Sequence, residues 1–148
     1  MYTDKRFLIT GAGSGLGRGL TLSFAESGHE VIATDADFDS VAETAALGSQ
    51  YGGRIIAEEL DVTRDDHVAR VVSSTSGMPV NVLLNNAGLQ HVAPLEEFPQ
   101  DEWAHLIDVM LEGPARMIRE VLPGMRAQGY GRIVNIGSIH SLMGSPYK

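Results

Sequence analysis

The chain concentrates glycine in one short stretch, Thr10-Gly11-Ala12-Gly13-Ser14-Gly15-Leu16-Gly17, directly after the apolar run Phe7-Leu8-Ile9. A backbone with few side chains can approach phosphate oxygens closely. If a helix begins where the glycines end, its first N–H groups and the positive end of its dipole face the same point. Those features together receive a dinucleotide pyrophosphate. The spacing is G-x-x-x-G-x-G, at Gly11, Gly15 and Gly17. The G-x-G-x-x-G form fails because the sixth position from Gly11 is Leu16. An isolated glycine loop is equally well a flexible turn, so the surrounding elements decide.

The second group is Asp35, at the end of the apolar run Val31-Ile32-Ala33. A carboxylate there can accept hydrogen bonds from ribose hydroxyls and repels a 2′-phosphate. No arginine or lysine lies between Ala12 and Leu16 to hold such a phosphate. The reading is NAD over NADP. Asp37 and Asp39 follow closely, and a simple turn would use an aspartate the same way.

These groups need elements to position them. Phe7-Leu8-Ile9 reads as a buried strand. Leu16, Leu20, Phe24 and Ala25 recur at helical spacing up to Gly28, a helix stop. Further strands are expected at Val31–Ala33, Arg54–Ala57, Val80–Leu84 and Ile133–Ile136. Helices are expected from Ser40 to Leu47, over Val68, Val71 and Val72 after an Asp61-Val62-Thr63 cap, and within Gln100 to Ala127. The last carries Trp103, Leu106, Ile107 and Met110 on one face. Near-continuous apolar strands alternating with helices imply a parallel sheet covered on both faces. The expectation is one domain over residues 1–148, an α/β doubly wound, Rossmann-like sheet.

With these residues in order, the chain resembles the short-chain dehydrogenase/reductase family. The T-G-x-x-x-G-x-G pattern runs from Thr10 to Gly17, with Thr10, Gly11, Ser14, Gly15, Leu16 and Gly17 as implied cofactor residues. The family's acidic residue after the third strand corresponds to Asp61, followed by Val62, and implies contact with adenine. Its N-N-A-G corresponds to Asn85-Asn86-Ala87-Gly88, so that Asn86, Ala87 and Gly88 line the nucleotide cleft. Its catalytic serine corresponds to Ser138. The resemblance implies an oxidoreductase that passes a hydride between NAD and a small-molecule substrate, in a cytoplasmic homo-oligomer.

A narrower resemblance is to the 3-hydroxybutyrate dehydrogenases. It rests on Gly88-Leu89-Gln90-His91-Val92-Ala93-Pro94, Ser138-Ile139-His140 and Ser145-Pro146-Tyr147-Lys148. It implies that Gln90, His140 and Lys148 hold a small carboxylate while Ser138 meets the reacting oxygen. A compact anion needs such a cation with converging neutral donors. The alternatives are a general short-chain dehydrogenase for a sugar, polyol or acyl ketone, and a non-catalytic NAD-binding fragment.

Two departures matter. The family's Tyr-x-x-x-Lys is expected about a dozen residues beyond the serine, an i,i+4 pairing on a helix. The chain contains no such pair, and Tyr147 stands too close to Ser138 to supply it. The expectation is a chain ending before that pair and before the family's last strands and helices, inactive by itself. A serine hydroxyl alone is no acid or base near neutral pH. The second departure is Met110, where the family carries an asparagine that assists a water-borne proton relay. Pro114 has no N–H, so the Met110 carbonyl four residues earlier loses its helical donor and is free to hold a water. Without its missing neighbour, the stripe Trp103, Leu106, Met110, Met117 and Ile118 is expected to lie uncovered.

Composition removes other classes. A net charge of −8 is unsuited to nucleic acid and to an anionic membrane surface. With no cysteine, disulfides and thiolate metal sites are excluded, and a reducing compartment fits. The five histidines have no ligand spacing, so no metal site is expected, and His29, His67, His91 and His105 are assigned no chemistry. The first residues resemble neither a signal peptide nor a membrane span.

Overall fold

The computed structural model describes residues 5–74 and 78–144. Five strands alternate with helices: β1 (Arg6–Thr10), α1 (Gly15–Glu26), β2 (Glu30–Asp35), α2 (Phe38–Leu47), β3 (Arg54–Glu59), α3 (Asp65–Ser73), β4 (Val82–Asn85), α4 (Gln100–Ile107), α5 (Gly113–Ala127) and β5 (Arg132–Asn135). The strands form one parallel sheet in the order β3-β2-β1-β4-β5. The chain moves outward from β1 in one direction, then crosses back to β4 on the other side. That reversal opens a crevice beyond the carboxyl ends of β1 and β4.

Alternation along the strands builds two cores. Leu8, Ile32 and Leu83 pack with Val68, Val71, Met117, Val121 and Met125 on the α3 and α5 side. Phe7, Ile9, Val31, Ala33 and Leu84 pack with Val41, Leu20 and Phe24 on the α1 and α2 side. Both faces are covered, which is why these strands read as unbroken apolar runs. β5 differs. It is one of the two edge strands among the described residues, and its Ile133 and Val134, with Ile136 just beyond it, stay exposed despite their apolar character.

Three expectations need correction. Leu16 does not join the apolar face of α1; it is 56% exposed and turned toward the crevice. α2 starts at Phe38, two residues early, because the Asp37 carboxylate accepts the N–H groups of Asp39 and Ser40. Asp61 does not cap α3, whose first flanking residue is Arg64; its carboxylate accepts the Thr63 N–H and hydroxyl in a local turn. The segment Gln100 to Ala127 holds the expected long helix, with one widened turn inside it.

Between α4 and α5, residues Asp108–Glu112 widen into a π-helical turn. The Gly113 N–H donates to the Asp108 carbonyl, five residues back. Pro114 has no N–H to offer. The Val109 and Met110 carbonyls thus both lose their usual α-helical donors. The expected apolar stripe also divides: Met117 is fully buried and Ile118 packs against the core, while Trp103 and Met110 are half exposed. Trp103 meets Phe98 edge-on, ring centroids 5.8 Å apart.

Candidate active site

The glycine loop leaves β1 at Thr10 and enters α1 at Gly15. Gly11 and Gly15 have φ of 65° and 50°, a region that favours glycine. A Cβ on Gly11 would sit 2.9 Å from the Ala87 Cα, so the loop and the β4 end can touch only without a side chain. A Cβ on Gly15 would meet no protein atom and would stand in the open crevice. No side chain caps the start of α1. Its first turn is therefore available to an external acceptor.

The loop is anchored on three sides. The Ala12 N–H donates to the Thr34 carbonyl at 2.9 Å. The Gly13 N–H donates to Asp35 Oδ2 at 2.9 Å, and Asp35 Oδ1 accepts from the Asp37 N–H. Arg18 donates to the Gly13 carbonyl, Thr44 Oγ1 and Glu43. The Nε and Nη2 of this arginine are thus already engaged.

Thr10 and Gly17 lie under the loop, away from the crevice lining. The Thr10 hydroxyl oxygen accepts the N–H groups of both Asn86 and Ala87, each at 3.0 Å. The Asn86 carboxamide donates to the Thr10 and Gly11 carbonyls. A Cβ on Gly17 would overlap the Gly11 carbonyl oxygen.

Above these supports runs a cleft of about 600 Å³. Gly11, Ser14, Gly15, Leu16, Asp35, Asp61, Val62, Asn86, Ala87 and Gly88 all line it. Five further lining residues escaped the sequence reading: Ala36, Leu60, Leu89, His105 and Val109. Three of these flank residues already singled out. His105 and Val109 arrive one helical turn apart from a distant segment, and nothing in their local spacing signals it.

Burial alone would raise the Asp61 carboxyl, but the Thr63 hydroxyl and N–H, with the charges of His67 and Arg64, hold it below the usual aspartate range. Asp61 is thus firmly anionic at the cleft.

A second cleft, about 580 Å³, adjoins the first along Asn86–Leu89. It is bounded by Gln90, Met110, Leu111, Pro114, Asn135 and Ser138. Gln90 and Ser138 therefore face the same space. His140 does not line it; its ring nitrogen lies 3.3 Å from the Met143 carbonyl, and its N–H donates to Ser138 Oγ. Lys148 and Tyr147 lie outside the described residues.

Comparison with known proteins follows the same outline. The model of the family described as short chain dehydrogenase matches residues 5–148.

The chain belongs to the short chain dehydrogenase family.

Among its relatives within that family, an uncharacterized oxidoreductase of Bacillus subtilis is 39% identical over 93% of this chain and 54% of its own length. The D-beta-hydroxybutyrate dehydrogenase of Cupriavidus necator is 34% identical over 100% of this chain and 58% of its own. The one from Rhizobium meliloti is 32% identical, covering 97% and 57%. A short-chain dehydrogenase crystal structure from Streptomyces avermitilis superposes with a TM-score of 0.88 at 33% identity, over 98% of this chain and 53% of that one. The chain thus spans a little over half the length of the curated relatives it matches. Among its described residues, no helix is long and apolar enough to cross a membrane.

Proposed function

We propose that residues 1–148 form a single NAD-binding domain, and that the protein it belongs to is an NAD-dependent oxidoreductase acting on a small hydroxy acid of the 3-hydroxybutyrate kind. One observation carries the first half: a single cleft is lined by the glycine loop, Asp35, Asp61–Val62 and Asn86–Gly88. The donor set suits the ligand. The uncapped first turn of α1 meets the pyrophosphate, Asp35 accepts from the adenosine ribose, and Asp61 and Val62 meet the adenine. The open space over Gly15 is the cradle the phosphates need. Asp35 disfavours a 2′-phosphate by charge, and Arg18 is occupied elsewhere.

When bound, the nicotinamide supplies hydride transfer, and the protein must orient the substrate and manage its proton. Ser138 donates to the reacting oxygen in the second cleft. Gln90 faces it, suited to a carboxylate oxygen. Lys148 supplies the cation, and His140 joins only by leaving the Met143 carbonyl. The Met110 carbonyl, without its α-helical donor, holds a water in place of the family's asparagine side chain. Two relatives that bear the name D-beta-hydroxybutyrate dehydrogenase support this substrate class. The 148 residues alone, having no Tyr-x-x-x-Lys, bind NAD without turning substrate over. The protein acts as a homo-oligomer in the cytoplasm.

The test is calorimetric titration of the folded chain with NAD and NADP. NAD binding with NADP at least about tenfold weaker is expected, the scale of one desolvated charge contact. No binding of either, or equal binding, refutes the reading. A chain carrying the remaining length of its relatives should oxidise 3-hydroxybutyrate in preference to uncharged alcohols.

A further inference from the structure

Val62 forms part of the first cleft, yet only one side of it faces that space. Its opposite side is held from α5. A Cβ on Gly113 would come within 2.8 Å of Val62 Cγ2, so the first residue of α5 is pressed against it. One turn later, Arg116 reaches back over the same residue. Its Nη1 donates to the Val62 carbonyl at 3.4 Å and to Asp108 Oδ1 at 2.6 Å, and its Nε lies 3.4 Å from Asp65 Oδ1. Asp108 belongs to the π-helical turn in which Val109 lines the first cleft while Met110 and Leu111 border the second. The Arg116 side chain is mostly buried, 19% exposed. A planar guanidinium presents five donors in a rigid fork, where an ammonium offers three rotatable ones on a flexible stem.

We propose that Arg116 is a positioning residue for the nucleotide: anchored by Asp108, its guanidinium braces the Val62 carbonyl and fixes the far wall of the first cleft. This rests on the reading that the cleft takes NAD. Exposed ion pairs contribute little by themselves. The Arg116–Asp108 pair differs in that one of its three acceptors is the main chain of a cleft residue. Arg119 provides the contrast, because it pairs with the same Asp65 at 3.0 Å without touching Val62.

The experiment compares NAD dissociation constants by calorimetry for wild type, Arg116→Met, Arg116→Lys and Arg119→Ala, with thermal midpoints and amide hydrogen exchange measured on the same samples. Arg116→Met should weaken NAD binding about tenfold, the net worth of one charge-assisted hydrogen bond. It should also speed exchange at Asp61–Thr63 in the free protein. Arg116→Lys should recover part of both, and Arg119→Ala should change neither. A merely structural arginine would lower the midpoint and leave the dissociation constant within twofold, which overturns the proposal. An equal loss in Arg119→Ala overturns it as well. Should Arg116→Met fail to fold, Asp108→Asn is expected to shift both readouts in the same direction, less strongly, and unchanged values there also refute it. Absence of NAD binding by the wild type would sink the functional reading instead, while exchange at Asp61–Thr63 still decides whether Arg116 braces that wall.

Discussion

Asn86 donates twice to Thr10, once from its main chain and once from its side chain. The Thr10 hydroxyl oxygen accepts the Asn86 N–H, and the Asn86 carboxamide donates to the Thr10 carbonyl, both at 3.0 Å. These two bonds join the ends of β1 and β4 where the sheet reverses direction. Thr10→Val keeps the shape but strands the N–H groups of Asn86 and Ala87. Half-buried and unpaired, they should cost about 1 kcal/mol in urea unfolding, with NAD binding weakened in the same variant. An unchanged unfolding midpoint would contradict the assigned role.

The two glycines at the entrance to α1 should separate stability from binding. Gly17→Ala drives a methyl into the Gly11 carbonyl and the Asn86 carboxamide. Overpacking of that kind costs about 1–3 kcal/mol. Gly15→Ala meets no protein atom, and its left-handed backbone costs about 1–2 kcal/mol. Its methyl instead occupies the space assigned to phosphate. Per folded molecule, Gly15→Ala should bind NAD much more weakly than wild type; retained affinity would remove the pyrophosphate from that position.

Asp35→Asn tests cofactor choice. The amide keeps an acceptor for the Gly13 N–H and removes the negative charge. NAD affinity should fall about three- to tenfold and NADP affinity should rise, narrowing the ratio, in keeping with the worth of a single charge at a partly buried site. Titration with both dinucleotides reads this directly. An unaltered ratio would mean that another group does the discriminating.

Asp61 gives a pH prediction. Its carboxyl titrates lower in the folded protein than in the unfolded chain. It therefore binds fewer protons when folded, and its contribution to stability is complete above about pH 4, the unfolded value. That contribution disappears as the pH falls through the lower, folded value. Asp61→Asn should be less stable than wild type at neutral pH, and the difference should close on acidification below about pH 4. A gap independent of pH would assign the loss to packing instead of charge.

Much of this architecture was legible in the residues. Glycine spacing, the apolar strand runs and the stop at Gly28 are local signals, and the structure follows them from β1 through β5. Gly11, Gly15, Asp35, Asp61 and Asn86 meet in one cleft because the crossover rules leave few ways to arrange such a sheet. What escaped depends on contacts between distant segments. His105 and Val109 reach the first cleft only through the packing of α4. Leu16 has the spacing of a core residue, yet the first turn of α1 points it outward. The widened turn at Asp108–Glu112 was half visible: Pro114 signals a missing N–H, but the five-residue reach of Gly113 depends on the space available around it. Thr10 and Gly17 belong to the glycine motif, and their part as supports beneath the loop depends on Asn86 and Gly11 coming together in the fold.

Residues Asn86 to Leu89 form a party wall, one face turned to each chamber. Two guests that lean on the same partition cannot be energetically indifferent to each other. Whatever the first does to that wall, tightening or displacing it, alters the welcome given to the second, and the favour is returned by the same factor.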